Sequence, residues 1–335
     1  MNNAQMKKVF IKASIFTGVC MALMLQRAAT KHILITDAAG QEIDRSFSEE
    51  SFDLLIDKNI KDNQAGKLTI PLPKSVSSDD IVLEDKYIDH ELLIYIDGRE
   101  EGFYLDNPVL TDLDIFDEAI CITENDSGSV CLDFKLDGLY ANESSLTESS
   151  TIEVRFFKPY EEYDQIVVID PANSDIPLDI ALLIKNTAEK SDDHKTKFYY
   201  TSLNDTEVSI DKKKALIEDS GADLVALIDA NGASETSDGV SAYYNGEFFL
   251  RGFNNAEFAG MMATSCAGRA STQIVGVYEA ENDDILDFCQ VPATKVIVGS
   301  LGGNLDQNRL YDKAYKNKLA EGLYQGIMQS FEELK

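Results

Sequence analysis

A chain of 335 residues with 44% hydrophobic content can bury a sizeable core and forms about two domains. Its 59 acidic and 30 basic residues leave a formal charge of −29, a field that repels phosphate backbones and anionic lipid surfaces and so excludes nucleic-acid binding. Five cysteines are too few for a disulfide scaffold at this length, and the acidic excess reads first as a solvated surface.

At the N-terminus Lys7, Lys8 and Lys12 precede the uncharged run ASIFTGVCMALML, residues 13–25. Basic and then apolar is the order of a signal peptide or signal anchor, placed here within residues 1–31. Counted from Val9 with Lys12 snorkelling, residues 9–25 form a strained span. The following QRAATK offers no good small-x-small cleavage site. The expectation is therefore an uncleaved anchor that tethers the protein to a membrane, with the rest of the chain outside the cytoplasm. Val19 makes Cys20 a poor lipidation site.

From Thr36 to about Tyr160 the chain is a series of short runs such as KLTIPL, ELLIYI, SVCLDFKL and STIEVRFF. Val130, Leu132, Phe134 and Leu136 recur at every second position, as do Ile152, Val154 and Phe156, so each set lies on one face of a strand. Turn signals at Asp97-Gly98, Ser127-Gly128 and Asp137-Gly138 predict antiparallel neighbours in a β-rich domain over 36–160. Cys121 and Cys131 flank ITENDSGSV and can face each other across a hairpin, which leaves a bridge open in an exported chain. His32 and His90 are isolated, and a solvated or hydrogen-bonded structural role is the default for both.

Residues 165–186, QIVVIDPANSDIPLDIALLIKN, read as a buried strand, a loop and a helix. In an open α/β sheet such a loop is where ligands bind. KFYYTS follows as a strand, SIDKKKALIEDSG as a helix closed by Gly221, and ADLVALIDA as a buried strand. GVSAYYN, TQIVGVYEA and TKVIVGS add strands, while NAEFAGMMATSCAGRA and the C-terminal RLYDKAYKNKLAEGLYQGIMQSFEEL add helices. The alternation predicts an α/β domain over 165–335, with a mostly parallel sheet flanked by helices. Tyr315, Leu319, Leu323, Ile327 and Phe331 form a stripe expected to pack on that sheet. Cys266 and Cys289 read as small buried apolar residues, and the LGGN of residues 301–304 as a turn.

The order IVVIDP, LDIALLIK, YYTSLND, GADLVALIDAN, GVSAYY, VPATKVIVGS and a long last helix resembles the zinc-dependent N-acetylmuramoyl-L-alanine amidases of bacterial cell walls. The likeness covers residues 165–335, and the preceding β-rich part sits where some of these enzymes carry a wall-targeting domain. It implies hydrolysis of the amide between glycan and stem peptide, with zinc held by a histidine in the first loop, a glutamate before the first helix and a second histidine in a His-Ala-Asn signature. A glutamate on the last strand is the family's general base.

Each of these positions departs in this sequence. The first histidine falls on Asn173, no glutamate exists between Pro171 and Glu189, the second histidine falls on Asp229, and the general base falls on Ile297. His194, in the polar segment EKSDDHKTK, is the only histidine after residue 90 and cannot rebuild a zinc cluster. Ser300 stands without a histidine to activate it as a nucleophile. The resemblance therefore implies a homologue without the catalytic machinery, whose residual groove comprises Asp170, Asn173, Asp175, Asp229, Asn231 and Ser300. Its partner would be peptidoglycan or another envelope protein. An active amidase with an atypical metal site is the competing reading, and Asp170, Asp175 and Asp229 could converge on a hard cation, Ca²⁺ or Mg²⁺. Against that cation stands a plainer account: Asp170 accepts backbone N–H bonds in its loop, Asp175 and Asp179 favour a helix N-terminus, and Asp229 is solvated.

Overall fold

Strand alternation sends Val130, Leu132 and Phe134 to one side, and all three are buried between two sheets that meet face to face. A computed structural model describes residues 34–37, 50–61, 64–98, 102–123, 129–191, 195–232, 234, 236–247 and 252–334. The expected anchor at 9–25, Cys20, His32, His194 and the Ser127-Gly128 turn lie outside these residues. Among the described residues no helix is long and apolar enough to cross a membrane.

In strand order, the first sheet holds β1 (Leu34–Asp37), β5 (Ile81–Lys86), β6 (Glu91–Ile96), β9 (Val130–Leu136), β8 (Phe116–Thr123) and β2 (Ser51–Asp53). The second holds β10 (Ala141–Leu146), β11 (Thr151–Phe157), β4 (Leu68–Pro71), β7 (Val109–Leu110) and β3 (Ile56–Asp57). Neighbours are antiparallel as expected, except that β1 runs parallel to β5 and β3 to β7. Cys121 is opposite Leu132, and Ile122 is opposite Cys131. That one-residue offset sends the two thiols to opposite faces, so they do not face each other as the hairpin reading allowed. Cys121 joins the core between the sheets and Cys131 joins Leu93 and Tyr95 on the far face. Both thiols are free, and burial pushes Cys121 up to about 12.

The third sheet has the order β13 (Thr196–Tyr200), β12 (Gln165–Pro171), β14 (Leu224–Asn231), β17 (Ala293–Ser300), β15 (Val240–Tyr244) and β16 (Ile274–Glu279). Its strands are parallel except where β15 meets β17. Helices cover both faces, which is why the strands read as continuous apolar runs. The 175–188, 255–270 and 313–333 helices share one core with the first face, and the 210–220 helix and the segment around Leu286 cover the second. Ser209 caps the 210–220 helix by accepting the Lys212 N–H, and Gly221 ends it at φ +64°.

The apolar stripe of the final helix is buried in the core on this face of the sheet, where it also meets the 255–270 and 175–188 helices. Small residues let the final helix approach the 255–270 helix closely. A Cβ on Gly322 would stand 2.7 Å from the Cys266 Cα and from the Ser265 carbonyl oxygen. Gly322→Ala gains helix propensity yet forces two backbones apart, so chemical denaturation should show a net loss of about 1–2 kcal/mol.

The β-rich part touches the third sheet at its β13 edge. The Tyr87 hydroxyl donates to the Tyr200 carbonyl at 2.8 Å and accepts the Tyr200 N–H at 2.9 Å. Its ring meets Tyr199 edge to face at 5.0 Å. Lys212 pairs with Asp89, and His90 Nε2 lies 3.6 Å from the Asp219 carboxylate, a structural contact for the one described histidine.

Candidate functional site

Strands β12, β14 and β17 lie side by side and point the same way, so their carboxyl ends meet at one rim of the sheet. Asp170 is the first polar residue of β12 after four buried apolar ones, and it is itself buried. Asp229 lies on β14 two residues beyond Leu227, the partner of Asp170, and the register sets Ile297 directly opposite it on β17. Asp170 and Asp229 line a cavity of about 350 Å³ together with Lys213, Lys295 and Asp283.

Two lysines answer part of the negative charge of this cavity, whose lining also carries Asp284. Lys213, on the 210–220 helix, places its Nζ 2.7 Å from Asp170 Oδ1, and the Thr201 hydroxyl donates to the same oxygen at 2.5 Å. Asp170 is therefore held by side chains, not by the backbone N–H groups expected of it. Lys295 rises from β17 and pairs with Asp283. Burial pushes the Asp283 carboxyl up, but the Lys295 ammonium and the Leu286 and Ile285 N–H groups together hold it below its usual range. Asp229 goes the other way: burial raises it, the Ala230 N–H and Lys295 draw it back, and the charges of Asp170 and Asp283 add to the rise. It is half-buried, not solvated, and its Oδ1 accepts that Ala230 N–H at 2.7 Å.

The other expected groove residues do not join this cavity. Asn173 is exposed and its side-chain amide donates to the Asp205 carbonyl. Asp175 is exposed in the first turn of its helix, and Asp179 pairs with Lys316 on the final helix. Asn231 and Ser300 pair with each other further along the strands, where buried Ser300 accepts the Gly302 N–H and shapes the turn after β17. The convergence of Asp170, Asp175 and Asp229 on a hard cation is thus not found. Among the described residues no group of three His, Cys, Asp or Glu side chains comes together to hold a metal.

Lys213, Lys295, Asp283 and Thr201 were missed by sequence reasoning. Lys213 sits in a Lys212-Lys213-Lys214 run that reads as a solvated helix face. Lys295 carried a usable signal, a single charge inside the otherwise apolar strand VPATKVIVGS. A second cavity of about 370 Å³ lies where the two parts of the chain meet, lined by Lys86, Tyr87, Asp89, Tyr200, Ser209 and Lys212. It contains none of the expected groove residues.

Residues 170–329 match the family model described as N-acetylmuramoyl-L-alanine amidase. Similar solved structures include the catalytic domain of CwlV, an N-acetylmuramoyl-L-alanine amidase from Bacillus (Paenibacillus) polymyxa var. colistinus, at 20% identity and TM-score 0.45, covering 50% of this chain and 99% of that one. An N-acetylmuramoyl-L-alanine amidase from Clostridium difficile 630 is similar at 21% identity and TM-score 0.45, over 51% of this chain and 98% of that one. The CwlD amidase from Clostridioides difficile, in a structure with the GerS lipoprotein, is similar at 17% identity and TM-score 0.45, over 50% and 99% of the two chains. None of the curated proteins matches the chain.

Proposed function

Because residues 170–329 match the family model described as N-acetylmuramoyl-L-alanine amidase, we propose that the protein acts in the cell envelope, outside the cytoplasm, as a non-hydrolytic homologue. It binds peptidoglycan or an envelope protein through the cavity beside Asp170 and Asp229, and the β-rich part serves wall targeting or protein binding. The observation that carries this reading is the pairing of Lys213 with Asp170 and of Lys295 with Asp283 in one cavity.

Zinc does not fit that donor set. It takes imidazole nitrogen, thiolate sulfur and carboxylate oxygen at about 2.0–2.3 Å. The cavity lining offers no imidazole and no thiolate, and Asp170 and Asp283 are already engaged by Lys213 and Lys295. Ile297, opposite Asp229, has no lone pair to take a proton from water. The test is incubation of the purified chain with muropeptides and zinc, followed by chromatography of the products. No stem peptide should be released, while the chain should sediment with peptidoglycan sacculi. Released stem peptide would establish the competing active enzyme with an atypical metal site.

A further inference from the structure

We propose that Tyr278 and Tyr243 form a saccharide subsite next to the cavity, a platform for one face of a pyranose ring; this rests on the reading that the protein binds peptidoglycan. Tyr278 lies on the edge strand β16 and is 44% exposed. Its ring does not project freely. The hydroxyl donates to the Val275 carbonyl at 3.1 Å, and the ring lies back over Gly276, where a Cβ would come within 2.2 Å of it. The absence of a side chain at Gly276 is what lets the ring lie down. One ring face is seated on backbone, and the tie at the hydroxyl fixes its attitude.

Tyr243 stands beside it on β15, with ring centroids 5.6 Å apart and planes tilted by 38°. The registers run Tyr278 to Tyr243, Tyr243 to Lys295 and Lys295 to Leu227, so the aromatic pair shares a row and a sheet face with the cavity wall. At a strand spacing of about 4.8 Å, Tyr278 is roughly 10 Å from Lys295, a distance one or two sugar units span.

Aromatic rings held in place offer a large contact area with little ordering cost on binding. A pyranose presents a flat set of C–H groups that suits such a face, and its hydroxyl and acetamido groups can reach the polar lip of the cavity at Asn282 and Asp284. A charge of −29 favours a neutral glycan over an anionic polymer. The ligand class is thus an uncharged N-acetylhexosamine chain.

The probe is a tetramer of β-1,4-linked N-acetylglucosamine, titrated into the full chain. The platform supplies only two of the 14 tyrosines that emit in this tryptophan-free chain, so binding is read by isothermal titration calorimetry. Saturable binding is expected, and Tyr278→Ala should weaken it about tenfold or more. Gly276→Ala keeps the phenol but displaces the ring, and should weaken binding to a similar extent, while Tyr278→Trp should retain it. Absence of binding to the wild-type chain overturns the subsite. So does unchanged affinity in Tyr278→Ala and Gly276→Ala variants whose circular dichroism is native. Sacculi that retain the Tyr278→Ala variant at the wild-type level also overturn it but leave wall binding standing; sacculi that fail to retain the wild-type chain overturn both.

Discussion

Replacing Lys213 with methionine should lower stability at pH 7 by about 3 kcal/mol in chemical denaturation. The Asp170 side chain is 7% exposed, and Lys213 supplies its counter-charge at 2.7 Å. Methionine keeps most of the aliphatic volume and removes the ammonium, so the carboxylate stays in its buried place with the Thr201 hydroxyl but without the cation. The double variant Lys213→Met with Asp170→Asn removes both charges and should recover a large part of the loss, since pair removal is milder than leaving one partner behind.

Tyr87→Phe should cost about 2–4 kcal/mol, and should do so in both parts of the molecule at once. The phenol is 3% exposed and makes two hydrogen bonds to a single residue, one to the Tyr200 carbonyl and one from its N–H. Phenylalanine preserves the ring contact with Tyr199 and deletes both bonds. Backbone groups away from water lose the full desolvation compensation when a partner vanishes. Hydrogen exchange is the discriminating measurement. Faster exchange confined to residues 84–96 would mean that Tyr87 matters only to its own sheet, whereas loss of protection along β13 as well would identify it as the tie between the two parts.

Much of the fold was legible because it follows from periodicity. The alternating apolar positions of β9 and β11, the buried runs of β12 and β14, and the Ser209 and Gly221 ends of one helix are local signals, and each is where the spacing places it. Register is not local. Whether Cys121 faces Cys131 depends on a one-residue offset that residue types do not encode, and the stripe of the final helix does not tell which neighbour it meets. The site divides in the same way. Asp170, Asp229 and Ile297 come together because strand ends in a parallel sheet must share a rim. The lysines that pair with Asp170 and Asp283 come from a helix face and a strand interior, brought in by tertiary packing alone.

The third sheet terminates differently on its two flanks. On one, the phenol of Tyr87 occupies the main chain of β13; on the other, no described strand joins β16, which bears Ile274, Val275, Val277 and Tyr278 in the open. Flanks of that kind invite zipping between molecules. At −29 per molecule, mutual repulsion stands in for a physical cover, so colloidal behaviour here is governed by ionic strength, and the safeguard fades as salt shortens the reach of charge.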